Sequence, residues 1–221
     1  MPEELAQYPN IYLVGKAGSG KSTVANMLVS EFGYRRAALA DGVKLGIAHL
    51  LAEEVPAKQY IRELFPTNKA NRKRAIEIWE EAQEGWKEKF TAVCGSEHRL
   101  VKEHYREFMT WWGTDICRTL DKNVWIDYYI AHTYQFEKPE VCDDVRFQNE
   151  EWFFTCNDYV GIHITRDTIS TPAPLTSTQA AHVSEQYDPQ YAVYTIHNDG
   201  DLEQLNSRVH EIMEAIVNEH K

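Results

Sequence analysis

The sequence predicts an α/β fold, a five-stranded parallel sheet flanked by helices, carrying a helical insertion and a long loop late in the chain. Three observations predict it. An apolar run at residues 10–14 stops at Gly15 and gives way to a stretch with helical spacing. Short β-type runs then alternate with helical stretches, the order that winds a parallel sheet. From about residue 57 to 106 the alternation is suspended by a continuous stretch of helix formers.

Each element follows from its residues. Residues 10–14 form the first strand. Val24, Leu28, Val29 and Phe32 space a helix over 21–32, with Gly33 as its stop. A strand over 35–40 and a helix over 43–53 come next. The insertion 57–106 holds 11 of the 23 basic residues and is net +3, leaving −14 on the rest of the chain. Helices over 114–120 and 123–135 follow, then a short strand at 140–143 and a helix at 147–155. Residues 159–165 alternate as a fourth strand. A loop spans 166–189, including the uncharged Pro/Ser/Thr/Ala-rich run 171–181. A fifth strand at 191–196 and a helix at 201–218, behind Asn198-Asp199-Gly200, end the chain. All 221 residues are read as one domain, with a core of 8–56 and 107–221, the insertion 57–106 and a lid at 166–189.

Composition narrows the function. A chain of 221 residues buries a core without disulfides or metals. Its net charge of −11 speaks against wrapping duplex nucleic acid, which needs a basic face. A small anion in a local basic pocket stays open. Cys94, Cys117, Cys142 and Cys156 show neither CxxC nor zinc-site spacing, which suits a reduced, cytoplasmic setting. The acidic N-terminus lacks a signal peptide's apolar stretch, and no apolar run is long enough for a membrane.

Gly15-Lys16-Ala17-Gly18-Ser19-Gly20-Lys21-Ser22, followed by Thr23, matches GxxxxGK[ST] between a strand and a helix. The chemistry is that of a polyphosphate cradle. Glycines bring backbone N–H groups close, the helix N-terminus adds positive potential, Lys21 reaches the β- and γ-phosphates, and Ser22 offers its hydroxyl to Mg²⁺. This predicts ATP and Mg²⁺. No NKxD-type guanine reader appears on a later strand. Further candidates follow the strands: Asp41 and Lys44 after the second, Asp144 and Arg146 after the third, Arg166 after the fourth. Competing structural roles exist. Asp41 suits a helix N-cap, Arg146 an i,i+4 pair with Glu150, Trp111 and Trp112 a core or hinge, and Asp143 a solvated or structural position.

Taken in order, the glycine-rich motif, Ala40-Asp41-x-x-Lys44, Trp112-Gly113-Thr114-Asp115-x-x-Arg118, Asp144-Val145-Arg146-Phe147-x-Asn149-Glu150, His182-x-Ser184-Glu185 and Ile196-x-Asn198-Asp199-Gly200 resemble the bacteriophage deoxynucleoside monophosphate kinases. The likeness runs from about residue 10 to 205. It implies a P-loop kinase that moves the ATP γ-phosphoryl group onto a deoxynucleoside 5′-monophosphate. Such an enzyme would work in the cytoplasm, a host's if phage-encoded, on small-molecule substrates, with a homodimer left open. By resemblance, Lys21, Asp41, Arg118, Arg146 and Arg166 serve transfer. Asp41, Lys44, Trp112, Arg118, Asp144, Arg146 and Glu150 line the acceptor, with Asp144 reaching Mg²⁺ through water. Asn198 and Gly200 lie near the adenine, and the insertion binds the acceptor.

Two departures stand out: the strand before Asp144 is short and polar, and Arg166 is the only Lys or Arg between Arg146 and Arg208. A monophosphate acceptor is already anionic, so positioning and electrostatics suffice, with Asp41 orienting the acceptor. A hydroxyl acceptor, on a small metabolite or a modified base, would require Asp41 as base. A third reading is a non-catalytic, nucleotide-dependent binding module.

Overall fold

The computed structural model describes residues 8–51, 57–94, 102–132, 138–167 and 187–219. In chain order the elements are β1 (Ile11–Val14), α1 (Lys21–Phe32), β2 (Arg35–Ala37), α2 (Asp41–Leu51), α3 (Ala57–Leu64), α4 (Lys69–Cys94), α5 (Lys102–Thr110), a π-helix (Trp111–Arg118), α6 (Val124–His132), β3 (Glu140–Val145), α7 (Gln148–Cys156), β4 (Val160–Thr165), β5 (Tyr194–His197) and α8 (Leu202–Glu219). They form two compact units, Met1–Ala38 with Tyr134–Lys221, and Leu39–Thr133.

The first unit is the α/β unit. Its five strands are all parallel, in the order β2-β3-β1-β4-β5. Every residue of β1 is buried, because both sheet faces are covered. Ile11 and Leu13 join Val24 and Leu28 of α1 and Leu205 and Val209 of α8 in one core. Each such aliphatic contributes about 1.5–3 kcal/mol by leaving water. Tyr12 points the other way, its ring stacked 6.0 Å from that of Phe154 on α7. Helix α1 covers the predicted span and stops where Gly33, at φ 74°, turns its N–H back to the Leu28 carbonyl.

Three strands differ from expectation: β2 stops at Ala37 instead of 40, β3 runs on past 143 to Val145, and β5 starts late. In β3 the register passes from Tyr12↔Cys142 to Val14↔Val145, so Leu13 faces both Asp143 and Asp144. That extra residue is a β-bulge, and it re-aims the side chains at the strand's end. Strand β5 starts at Tyr194 rather than 191, because the Tyr191 and Ala192 N–H groups donate instead to the Glu151 carboxylate, at 3.0 and 2.9 Å. Glu151 is fully buried. An unpaired carboxylate there would be costly. It is satisfied by those two amides, by Gln190 N–H at 2.9 Å, and by the hydroxyls of Tyr12 and Tyr187.

The second unit is all-helical and larger than the predicted insertion 57–106, since α2 and α6 both pack on α3. Helix α5 runs directly into the π-helix, so the helix expected at 114–120 begins as a widened turn of a longer one. Aromatic side chains build this core. Trp112 lies 4.7 Å from Trp79 and 6.5 Å from Tyr60, ring centre to ring centre. The Trp112 indole N–H donates to the Tyr60 hydroxyl at 3.0 Å, and that hydroxyl donates to the Gly42 carbonyl at 2.9 Å. No helix among the described residues is long and apolar enough to cross a membrane.

Candidate functional site

Strand β1 is the third of five, so the loop 15–20 leaves the middle of the sheet's carboxyl edge. Gly15, Gly18 and Gly20 have φ of 145°, 80° and 108°, values that side chains resist. A Cβ on Gly15 would stand 2.2 Å from the Ile164 carbonyl oxygen, and one on Gly20 2.3 Å from Asn198 Nδ2. The loop is thus pressed against β4 and the residue after β5. Lys21, 8% exposed, turns its ammonium back onto the carbonyls of Gly15 (2.5 Å) and Lys16 (2.9 Å). Lys16 is exposed and Ala17 half-buried on the loop, and Thr23 N–H returns to the Gly20 carbonyl at 2.9 Å.

Several donors of this loop have no acceptor among the described residues. Ser19 Oγ is buried with no partner among the described residues, and the N–H groups of Gly18, Gly20 and Ser22 have no acceptor among them either. Helix α1 has no side-chain cap and no acidic residue in its first turn. Its positive end therefore faces the loop without a cap or acid of its own, an arrangement that favours an anion. These orphaned donors and the glycine-shaped cradle fit a polyphosphate.

Beside the loop, Asp143 is 5% exposed and accepts the Ser22 hydroxyl at 3.0 Å. Arg36 grips the same carboxylate through two nitrogens, at 3.1 and 2.5 Å. A hydroxyl paired with a carboxylate is the hard-oxygen set that Mg²⁺ takes alongside substrate phosphates. The sequence pointed to Asp144 for the metal and to a solvated or structural role for Asp143. In the structure Asp143 is buried against Ser22 and Arg36, and Asp144 is half-buried with its Oδ1 accepting from Cys142 Sγ at 3.4 Å.

Arg146 and Arg166 follow β3 and β4, the two strands flanking β1. Adjacent strands lie about 4.8 Å apart, so each arginine leaves the sheet one strand away from the loop. Glu150, 3% exposed, accepts the Arg146 backbone N–H at 2.9 Å, a reach-back bond at the start of α7. It shapes the turn that presents Arg146. Arg166 is half-buried and its Nε has no acceptor among the described residues. His163, opposite Val14, has its imidazole pushed down by burial. The Lys21 and His197 charges add to that shift, and Asp188 and Glu151 oppose it.

Asn198 is 6% exposed and donates through Nδ2 to the Ser19 carbonyl at 2.8 Å. Its side chain holds the glycine loop, a contact that sequence reasoning did not foresee. Gly200 lies in the turn before α8, where Asp201 Oδ1 accepts the Gln204 N–H at 2.9 Å.

The remaining candidates belong to the helical unit. Asp41 is the first residue of α2 rather than the residue capping it. Its carboxylate takes the Lys44 ammonium at 2.6 Å, both side chains being about half exposed. Arg118 ends the π-helix, half-buried. Trp112 is fully buried with its N–H spent on Tyr60, so it supports α2 from the core and presents no face to an acceptor. His182, Ser184 and Glu185, with most of the expected lid, lie outside the described residues. No protein-family model matches the chain, and no curated protein matches it.

Proposed function

We propose that this protein is a P-loop kinase that transfers the γ-phosphoryl group of ATP to a deoxynucleoside 5′-monophosphate. One observation carries the nucleotide half of this reading: a cradle of unspent donors, shaped by left-handed glycines, at the uncapped start of α1, with Lys21 inside it. Its acceptor half rests on the resemblance of the motifs around Asp41, Arg118 and Arg146 to the phage kinases.

In this mechanism the amides of Gly18, Gly20 and Ser22 and the Ser19 hydroxyl bind phosphate oxygens. Lys21 exchanges its two carbonyl acceptors for the β- and γ-phosphates. Ser22 and Asp143 would hold Mg²⁺, which would supply neutralisation of phosphate charge. Arg146 and Arg166 approach the transferred group from the strands on either side. Asp41, Lys44 and Arg118 receive and orient the monophosphate. The nucleophile is an oxygen of that phosphate, already ionised, so no strong base is needed and the rate comes from alignment and charge. ATP turnover, followed as ADP release with each deoxy- and ribonucleoside monophosphate, tests the reading. Acceptor-dependent ADP formation is the expected result. Tight ATP binding without turnover on any acceptor would refute it in favour of a binding module.

A further inference from the structure

We propose that Asn198 is a positioning residue that sets the direction of the Gly20 amide, making the loop 15–20 a ready anion cradle. The proposal rests on the nucleotide reading above for its ligand but not for its geometry. Asn198 Nδ2 donates to the Ser19 carbonyl at 2.8 Å, inside the protein. That carbonyl and the Gly20 N–H belong to one peptide unit. A trans peptide is planar, with its C=O and N–H pointing in opposite directions. Holding the Ser19 oxygen toward Asn198 therefore turns the Gly20 N–H away from it, on the side where no protein acceptor stands among the described residues.

Two further observations fix the arrangement. Gly20 has φ 108°, a backbone state open to glycine, and a Cβ there would meet Asn198 Nδ2 at 2.3 Å, so the two are in close contact. Asn198 itself follows β5, and its own N–H is tied to the Thr165 carbonyl at 2.8 Å, so it works from a rigid base. The sheet thus reaches across from β5 to orient a peptide in the loop after β1. On this view residue 198 acts on the phosphates through the backbone and does not read the base.

The test uses the full chain and the isosteric variant Asn198→Asp, which keeps the shape and loses the donor, with Asn198→Ala beside it. The glycine amide signals of the ligand-free protein are recorded by NMR. Affinities are then measured for MgATP and for inorganic tripolyphosphate, with the thermal midpoint as a check on folding. We expect the Gly20 signal to move or broaden in both variants. Both ligands should weaken together, by roughly tenfold, as one oriented buried donor is lost. Unchanged glycine signals in folded variants would overturn the proposal. So would a loss of MgATP affinity with tripolyphosphate binding intact, which would put Asn198 at the base. If the parent protein binds neither ligand while its glycine signals still depend on Asn198, the nucleotide reading falls and the positioning role stands.

Discussion

Replacing Asp143 by Asn is the sharpest test of the site, because it separates two adjacent carboxylates. The variant keeps the side chain's shape and removes its charge. It weakens the Ser22 hydroxyl bond at 3.0 Å and the two Arg36 bonds at 3.1 and 2.5 Å. A bond to a charged group contributes about 1.5–3 kcal/mol, but the Arg36 side chain is 40% exposed and its share is screened by solvent. The expected stability loss is about 2 kcal/mol, read from the urea midpoint. The effect on turnover should be larger. Without an anionic oxygen beside Ser22 the magnesium position loses its one buried acid, and kcat should drop by about a hundredfold, or ~3 kcal/mol. Half-saturating magnesium should rise as well. The assay is coupled ADP release across a magnesium titration, run in parallel on Asp144→Asn. That neighbour, whose Oδ1 accepts from Cys142 Sγ, should stay within about threefold of the parent. A normal rate and magnesium dependence in Asp143→Asn, with a crippled Asp144→Asn, would refute the placement and restore the assignment that sequence spacing suggested.

Three other outcomes follow from the structure. Arg166→Ala should lower kcat strongly with little change in stability, since its Nε holds no described partner; a loss below about threefold would remove it from the phosphoryl clamp. Tyr60→Phe strands the Trp112 N–H and leaves the Gly42 carbonyl without this donor, costing about 2–4 kcal/mol; an unchanged denaturant midpoint would refute the relay. Burial pushes the Glu140 carboxyl from an ordinary 4.5 up to about 7, against the pull of the Tyr159 hydroxyl. The folded chain then keeps a proton that the unfolded chain has lost. The stability this gives is fully present below about pH 4.5 and is lost as pH rises through about 7, by up to ~3 kcal/mol less what the Arg35 guanidinium returns to the charged form. Glu140→Gln should flatten that slope, and a slope that survives in the variant would assign it elsewhere.

What could be read from the residues, and what could not, divides along a physical line. Helix α1 was legible to the residue, because its limits are local: Gly20 and Gly33 take backbone states that end helices. The strands were legible as runs but not as registers. Nothing in Glu140-Val141-Cys142-Asp143-Asp144-Val145 announces that Leu13 will span two residues of β3, and a bulge exists only in a pair of strands. Asp143, which lies in that irregular stretch, is the aspartate that meets Ser22. Glu151 shows the same limit. In sequence it is one acid among several on an exposed-looking helix, and its fully buried carboxylate is explained only by donors 36 to 41 residues downstream and by Tyr12, 139 positions upstream. Asn198 was singled out for its motif, but its partner, the Ser19 carbonyl, is 179 positions away. Local chemistry therefore marked the glycine loop 15–20. The groups that hold it in shape and supply its carboxylate come from β3 and from the residue after β5, brought there by the order β2-β3-β1-β4-β5. That order sets β1 between the strands that deliver Arg146 and Arg166. An anion at the loop would thus meet cations from both flanks even though the chain as a whole carries −11. The total of −11 does not set the local field: at this edge Lys21, Arg146 and Arg166 share the strand ends with Asp143 and Asp144, and the sheet topology decides which charges meet there.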